Sequence, residues 1–205
     1  MRQPSEPSTL DSPLVPNQWH DIENGRLYWA PNFIDAQEAA QLFAALQHEL
    51  EWRSDEITIF GKTTPIPRLQ AWYGDKSYRY SNIELTPKPW LPSLLPLKSA
   101  CEKMAGTQFN SVLANLYRDG SDSNGWHSDN EPELGKQPII ASLSLGETRK
   151  FHLKHKTTKK KYTFNLVPGS LLIMAGDTQS FWLHTIPKTK LNKTARINLT
   201  FRSIV

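Results

Sequence analysis

The stretch Trp126-His127-Ser128-Asp129-Asn130-Glu131 sets three metal-ligating or acid/base side chains at alternate positions. In an extended chain alternate side chains share one face, so His127, Asp129 and Glu131 can converge on one point. His184 follows much later, at the end of the apolar run SFWLH. Two imidazoles and one carboxylate on one side of an ion leave the opposite coordination positions open, the facial arrangement of non-haem Fe(II) oxygenases. Zinc on the same three ligands is the competing reading, and would make a hydrolase.

A second group lies near the C-terminus, in Arg196-Ile197-Asn198-Leu199-Thr200-Phe201-Arg202. On a strand, Arg196, Asn198, Thr200 and Arg202 point one way, and Ile197, Leu199 and Phe201 point into an apolar layer. Two arginines on a strand that otherwise reads as core need anionic partners, because unpaired buried charge is costly. A dicarboxylate such as 2-oxoglutarate would meet that need through charge-assisted hydrogen bonds. Ion pairs with Asp or Glu elsewhere would meet it equally.

Holding these groups requires a frame of short strands, and the chain supplies one from residue 108 onward. FNSVLANLY, PIIASLSLG, KFHLKH, YTFNLV, GSLLIMAG, SFWLH and ARINLTFR are separated by turns, the texture of a sandwich or jelly roll. Upstream, Asp35 with Glu38 three residues later marks a helix start. Ala39, Leu42, Phe43, Leu46 and Leu50 then form a core-facing stripe. The segment SDEITIFGKTTPIPRLQAWYGD reads as a hairpin, with Ile57, Ile59 and Phe60 running to Gly61 and residues 69–73 as the return arm. Residues 91–105, between Pro92 and Gly106, read as a second helix. Residues 1–18, rich in Pro and Ser, read as a disordered leader. Residues 19–106 form an N-terminal extension and 107–205 the core of a single catalytic domain.

The length of 205 residues fits one domain. A formal charge of +4 makes an acidic partner plausible, nucleic acid first in line, but many proteins carry this charge on an ordinary solvated surface. The only cysteine, Cys101, excludes an internal disulfide framework. No apolar run approaches a membrane span, and MRQPSEPSTLDSPLVP has no apolar signal-peptide core. The expectation is an intracellular monomer that does not bind membranes, in the cytoplasm or nucleoid of a bacterium or the nucleus of a eukaryote.

Asn115-Leu116-Tyr117, His127-Ser128-Asp129, His184 and the R-x-N-x-T-x-R run from Arg196 to Arg202, in that order, resemble the AlkB family of Fe(II)/2-oxoglutarate dioxygenases. That family repairs alkylated nucleic-acid bases. IFGK, PRLQAWYGD, SYRYSN and TPKPW extend the resemblance toward the animal-type homologues that act on double-stranded DNA. The resemblance implies an α+β fold: a double-stranded β-helix (jelly roll) with N-terminal helices and a nucleotide-recognition hairpin lid. It implies Fe(II) on His127, Asp129 and His184, and 2-oxoglutarate on Arg196 and Arg202 with Asn115, Tyr117 and Asn198. With molecular oxygen these would hydroxylate an N-alkyl carbon and release an aldehyde, restoring bases of the 1-methyladenine and 3-methylcytosine type.

The target base must leave its stack, and the resemblance places Tyr78, Tyr80 and Ser81 around it, with Glu131 reading its exocyclic amino group. Ile59, Phe60 and Gly61 would form a wedge filling the gap in a duplex. Arg68, Lys188 and Lys190 would contact the strands, with Lys154, Lys156, Lys159, Lys160 and Lys161 as further phosphate contacts. The basic cluster at 188–190 is sparser than in the duplex-acting relatives. Duplex DNA is thus the expected partner, and single-stranded DNA or RNA the alternative within the family. A non-catalytic nucleic-acid-binding module on the same scaffold is the alternative of another class.

Overall fold

The structure, a computed structural model, describes residues 10–11, 14–59, 62–80 and 83–205. The chain opens with strands β1 (Leu10–Asp11), β2 (Trp19–Ile22) and β3 (Gly25–Ala30), then helix α1 (Ala36–Glu49). Next come β4 (Glu56–Ile59), β5 (Lys62–Pro65), β6 (Leu69–Gly74), β7 (Tyr78–Tyr80) and β8 (Ile83–Leu85), and helix α2 (Leu95–Ala105). The remainder runs β9 (Ser111–Tyr117), β10 (Asn124–His127), β11 (Ile140–Gly146), β12 (Arg149–His155) and β13 (Lys161–Leu166). It ends with β14 (Leu171–Ala175), the one-turn helix α3 (Thr178–Phe181), β15 (Trp182–Ile186) and β16 (Arg196–Arg202).

Two sheets face each other. The larger has the order β2-β3-β14-β11-β16-β9-β6, the smaller β1-β13-β12-β15-β10. From β9 the chain steps back and forth between them, which winds the pair into a jelly roll. Period-two alternation decides what lies on each side of β16. Ile197, Leu199 and Phe201 join Leu46 of α1 and Leu97 and Cys101 of α2 in the core on the outer face of the large sheet. The opposite face of β16 looks at the small sheet. There Leu153, Phe164, Leu172 and Trp182 fill one part of the intersheet space, and polar side chains occupy the rest. Burial, with Glu102 adding, pushes the Cys101 thiol up to about 12, which leaves it a small apolar residue rather than a nucleophile.

The helices start and stop where their end residues dictate. The Asp35 side chain accepts from Glu38 N at 2.9 Å to cap α1. Gly106, at φ 68°, closes α2 in the left-handed region that glycine adopts without strain. Among the described residues no helix is long and apolar enough to cross a membrane.

Three expectations need correction. The return arm of the first hairpin is β5, not residues 69–73, since Glu56–Ile59 pairs with Lys62–Pro65. The later segment is β6, which pairs with β9 from Leu69↔Leu116 to Gly74↔Ser111. Its apolar side chains are covered on both faces, with Ala71 and Tyr73 in the helix-side core and Trp72 packed on Leu113, so it belongs to the body of the sheet. The stretch 1–18 is also not wholly disordered. Leu10–Asp11 pairs in parallel with Tyr162–Thr163, and Leu14 is buried in the intersheet core. An open strand edge and an apolar slot there outweigh a Pro- and Ser-rich composition. Likewise β2, β3 and β6, all upstream of residue 107, are strands of the large sheet itself.

Asp35→Ala is expected to lower unfolding free energy by about 1 kcal/mol, seen as an earlier urea midpoint; an unchanged midpoint would remove the cap from the account of α1.

Candidate metal and cofactor site

Strands β10 and β15 are antiparallel neighbours, and their register sets His127 directly opposite His184. The ring centroids are 4.1 Å apart. Beyond β10 the chain leaves the sheet, and Asp129 turns back, so that one ligand atom from each of the three residues falls within 4.8 Å of the others. His127 Nδ1 lies 2.7 Å from the Gly125 carbonyl. Donation there leaves the lone pair on Nε2, the atom 3.6 Å from Asp129 Oδ1. Burial, then the neighbouring His127, lowers His184 to about 3 against the opposing pull of Asp129, so its imidazole is neutral, the form that binds metal. Burial alone would raise the Asp129 carboxyl, but Arg202, then His184 and His127, outweigh it and hold it below the usual range. Two imidazoles and an ionised carboxylate make a donor set that fits Fe(II) with open positions.

The loop carrying the carboxylate is clamped from α3 and the β12–β13 hairpin. Asp129 N donates to Gln179 Oε1 at 3.0 Å. Lys156 Nζ donates to Ser128 Oγ at 3.2 Å, to Gln179 O at 3.2 Å and to Ser180 O at 2.8 Å. Lys156, expected as a phosphate contact, donates once to the ligand loop and twice to α3 carbonyls, tying the two together.

The large sheet supplies the other wall. Register places Tyr117 opposite Arg196, and Asn115 opposite Asn198, across β9 and β16. It places Ser142 opposite Thr200, and Ser144 opposite Asn198, across β11 and β16. Three adjacent strands thus present one polar surface inside the molecule. Arg196 is 1% exposed and donates Nη2 to Ser144 Oγ at 2.9 Å. Among the described residues its Nε and Nη1 have no hydrogen-bond partner. Burial pushes its guanidinium down to about 10, with Tyr117 opposing, so it stays charged. A buried cation with two unmet donors fits a ligand carboxylate. Arg202 differs, because its Nη2 lies 3.3 Å from Asp129 Oδ2. Arg196 thus faces the cradle without an acid beside it, while Arg202, which lines the same cavity, is paired with Asp129.

Not every expected residue joins this site. Arg68, expected at a DNA strand, is 3% exposed and donates Nε to Asn115 Oδ1 at 2.8 Å. Its guanidinium is thus a wall of the cavity that also contains His127, Asp129, His184 and Arg196. Glu131 is half-buried at the start of the 3-10 turn Pro132–Leu134 and is not part of the three-residue metal cluster. Lys188 and Lys190 are exposed on the loop after β15. Ile59 ends β4, and Tyr78 and Tyr80 bound β7. Phe60, Gly61 and Ser81 lie outside the described residues.

Other contributors escape a sequence reading. Ser142 and Ser144 carry a faint signal, the small polar alternation in ASLSLG. Arg149 carries none: 2% exposed, it donates to the carbonyls of Asp119, Asp122 and Pro187 at 2.9, 2.8 and 2.8 Å. Its guanidinium carbon lies 5.7 Å from the Tyr117 ring centroid, and that of Arg196 lies 5.2 Å from the same ring. It ties two loops together beside the cofactor wall.

Comparison with known proteins converges on one group. Residues 26–202 match the family model of the 2OG-Fe(II) oxygenase superfamily. Alpha-ketoglutarate-dependent dioxygenase alkB homolog 3 of Bos taurus is 43% identical over 189 residues, covering 87% of this chain and 66% of that protein. DNA oxidative demethylase ALKBH2 of Mus musculus is 39% identical over 181 residues, covering 82% of this chain and 76% of that protein. The chain spans slightly less than two thirds of the length of the alkB homolog 3 relatives, 62% for the Rattus norvegicus protein. The solved structure of OsALKBH1 shares the fold, with a TM-score of 0.63 at 17% identity, covering 90% of this chain and 100% of that one.

Arg202→Met is expected to destabilise the metal-free protein at pH 7 by about 3–5 kcal/mol, the cost of leaving a buried carboxylate without its cation. In the wild type the depressed Asp129 pKa contributes stability above the unfolded value that is lost as pH falls through the folded one. Without Arg202, burial raises that pKa, so the gap between variant and wild type should narrow on acidification, from the variant's raised value down through the depressed wild-type one. Urea unfolding at several pH values measures it, and a gap that stays constant would remove Arg202 as the group keeping Asp129 ionised.

Proposed function

The chain belongs to the AlkB family of 2OG-Fe(II) dioxygenases, and from that premise we propose that it is an Fe(II)- and 2-oxoglutarate-dependent enzyme that removes alkyl groups oxidatively from nucleic-acid bases. The observation that carries this reading is the juxtaposition, inside one cavity, of the His127–Asp129–His184 cluster and the unmet donors of Arg196. Bound together, iron and 2-oxoglutarate supply the oxygen activation needed to hydroxylate an alkyl carbon. The protein supplies the rest. His127, Asp129 and His184 hold the ion on one side. Arg196, with Asn115, Tyr117 and Asn198, receives the co-substrate, and Arg202 keeps Asp129 ionised while lining the same cavity. Phe151, Leu166, Met174 and Ile186 exclude water from the remaining wall. Glu131, just beyond the ligand loop, reads the base, with Tyr78, Tyr80 and Ser81 as its stacking and positioning partners.

The substrate proposed is single-stranded nucleic acid rather than the duplex DNA expected from the sequence. Identity to the alkB homolog 3 relatives, 43–44%, exceeds that to the animal proteins named DNA oxidative demethylase ALKBH2, 38–39%. Of the groups meant to hold a second strand, Arg68 turns into the cavity and bonds Asn115. A zinc hydrolase or a non-catalytic module would leave the buried, acid-free Arg196 without a purpose.

Incubated with Fe(II), ascorbate and 2-oxoglutarate, the protein is expected to restore 1-methyladenine or 3-methylcytosine in an oligonucleotide, several-fold faster on single strands than on duplexes. Failure on both would overturn the function, and equal or faster repair of duplexes would overturn the strand preference. His127→Ala should abolish turnover. Arg196→Ala should raise the 2-oxoglutarate requirement about 10- to 100-fold, the worth of charge-assisted hydrogen bonds, while Fe(II) binding persists; an unchanged requirement would sink the co-substrate assignment.

A further inference from the structure

The outer face of the small sheet is a basic surface with an aromatic edge. On β12, Phe151 and Leu153 enter the intersheet core, so Lys150, His152 and Lys154 face outward. Register sets Lys154 opposite Lys161 of β13 on one side and opposite Leu183 of β15 on the other. Beyond β15 lies the edge strand β10, where Trp126 is 45% exposed. Lys154 Nζ reaches across to 4.7 Å from the Trp126 ring centroid. Lys161, Lys154 and Leu183 therefore form a row across three strands, and Lys154 links that row to Trp126 on the fourth.

This row is unfavourable for the protein alone. Like charges directly opposite on neighbouring strands repel. No Asp or Glu occurs in β10, β12, β13 or β15. Among the described residues Lys150, Lys154 and Lys161 take part in no ion pair. A large aromatic ring left in solvent beside unneutralised lysines has the composition of a single-strand platform, in which phosphates meet cations and bases stack on rings. The position of Trp126 is as telling as its exposure. It precedes His127 on β10, so one residue faces out and the next faces the metal site.

We propose that this face holds the single strand flanking the target nucleotide: Lys150, Lys154 and Lys161 meet its phosphates, and Trp126 stacks a neighbouring base at the edge of the site. The proposal rests on the nucleic-acid reading above and adds the path by which the strand reaches the cavity. An unmodified strand has nothing to be dealkylated, so its binding reports on the surface separately from the reaction.

The test is a fluorescence anisotropy titration of a labelled, unmodified single-stranded 12-mer with the whole chain over a range of salt concentrations. Replacing Lys150, Lys154 and Lys161 together by Gln should reduce the slope of log affinity against log salt by about 2, at roughly 0.7 per lost phosphate contact. Trp126→Ala should weaken binding about tenfold with the slope kept, in line with stacking on aromatic rings, and Trp126→Phe should restore most of it. Lys103→Gln serves as a charge control, because α2 packs on the opposite face of the large sheet. It should change affinity less than about twofold, as expected for a screened, distant charge. Wild-type slope and affinity in the triple variant would overturn the surface, as would an equal loss for Lys103→Gln and Lys154→Gln. So would equal affinity of the wild type for an acidic peptide of the same charge, with no effect of Trp126→Ala. Binding that behaves as stated, from a protein that dealkylates no methylated oligonucleotide, would uphold the surface and reject the enzyme reading instead.

Discussion

Arg202 and Asp129, 3.3 Å apart with side chains 3% and 5% exposed, form the ion pair on which the site turns. Arg202 belongs to the large sheet, and Asp129 to the loop leaving the small one. Neither charge could be buried alone, because removing an ion from water costs several kcal/mol unless a partner compensates. Their pairing therefore does two jobs with one contact. It closes the polar end of the space between the sheets, and it keeps the metal-binding carboxylate ionised in a place where burial would otherwise protonate it.

From that constraint the division of the interior follows. The two sheets meet through apolar residues around Trp182 and Phe164, while the other part of the same space carries Asn115, Tyr117, Ser142, Ser144, Arg196, Asn198 and Thr200. Much of this polar set is bonded internally. Asn198 Nδ2 donates to Ser142 Oγ and Leu143 O, and Arg68 and Gln70 both donate to Asn115 Oδ1. A bonded network of this kind fixes orientations that an apolar core would leave to packing. Against that background the two unmet donors of Arg196 stand out as a requirement for a ligand rather than a defect in the network. Apolar packing on the far side of β16, against α1 and α2, offsets the cost of keeping this interior polar.

Much of the fold was legible because strand alternation is a local property. ARINLTFR separates its two faces by period alone, and Asp35 and Gly106 mark helix ends through their own side-chain and backbone preferences. The first hairpin was misassigned for a reason that is also physical. Both Lys62–Pro65 and Leu69–Gly74 can extend, and the choice between them depends on β9 offering a partner with both faces covered, a contact more than forty residues away. Leu10–Asp11 was missed likewise, since its order comes from the open edge of β13. Arg68 and Lys156 looked like surface cations, as most isolated basic residues are. Their inward bonds to Asn115, Ser128 and the Gln179 carbonyl involve partners that no local pattern announces.

The sequence by itself determined the ligand types, their order along the chain, the two faces of β16 and the family to which the chain belongs. These are written in residue identity and period, which survive without knowledge of contacts. Only the tertiary structure decided which arginine neutralises Asp129 and which keeps two donors without a partner among the described residues. It alone turned Arg68 inward and set Trp126 beside Lys154 on the outer face. Each of those outcomes depends on distances between strands that are far apart in the chain, and the energy of a charge is set by what lies within a few ångströms of it, not by its place in the sequence.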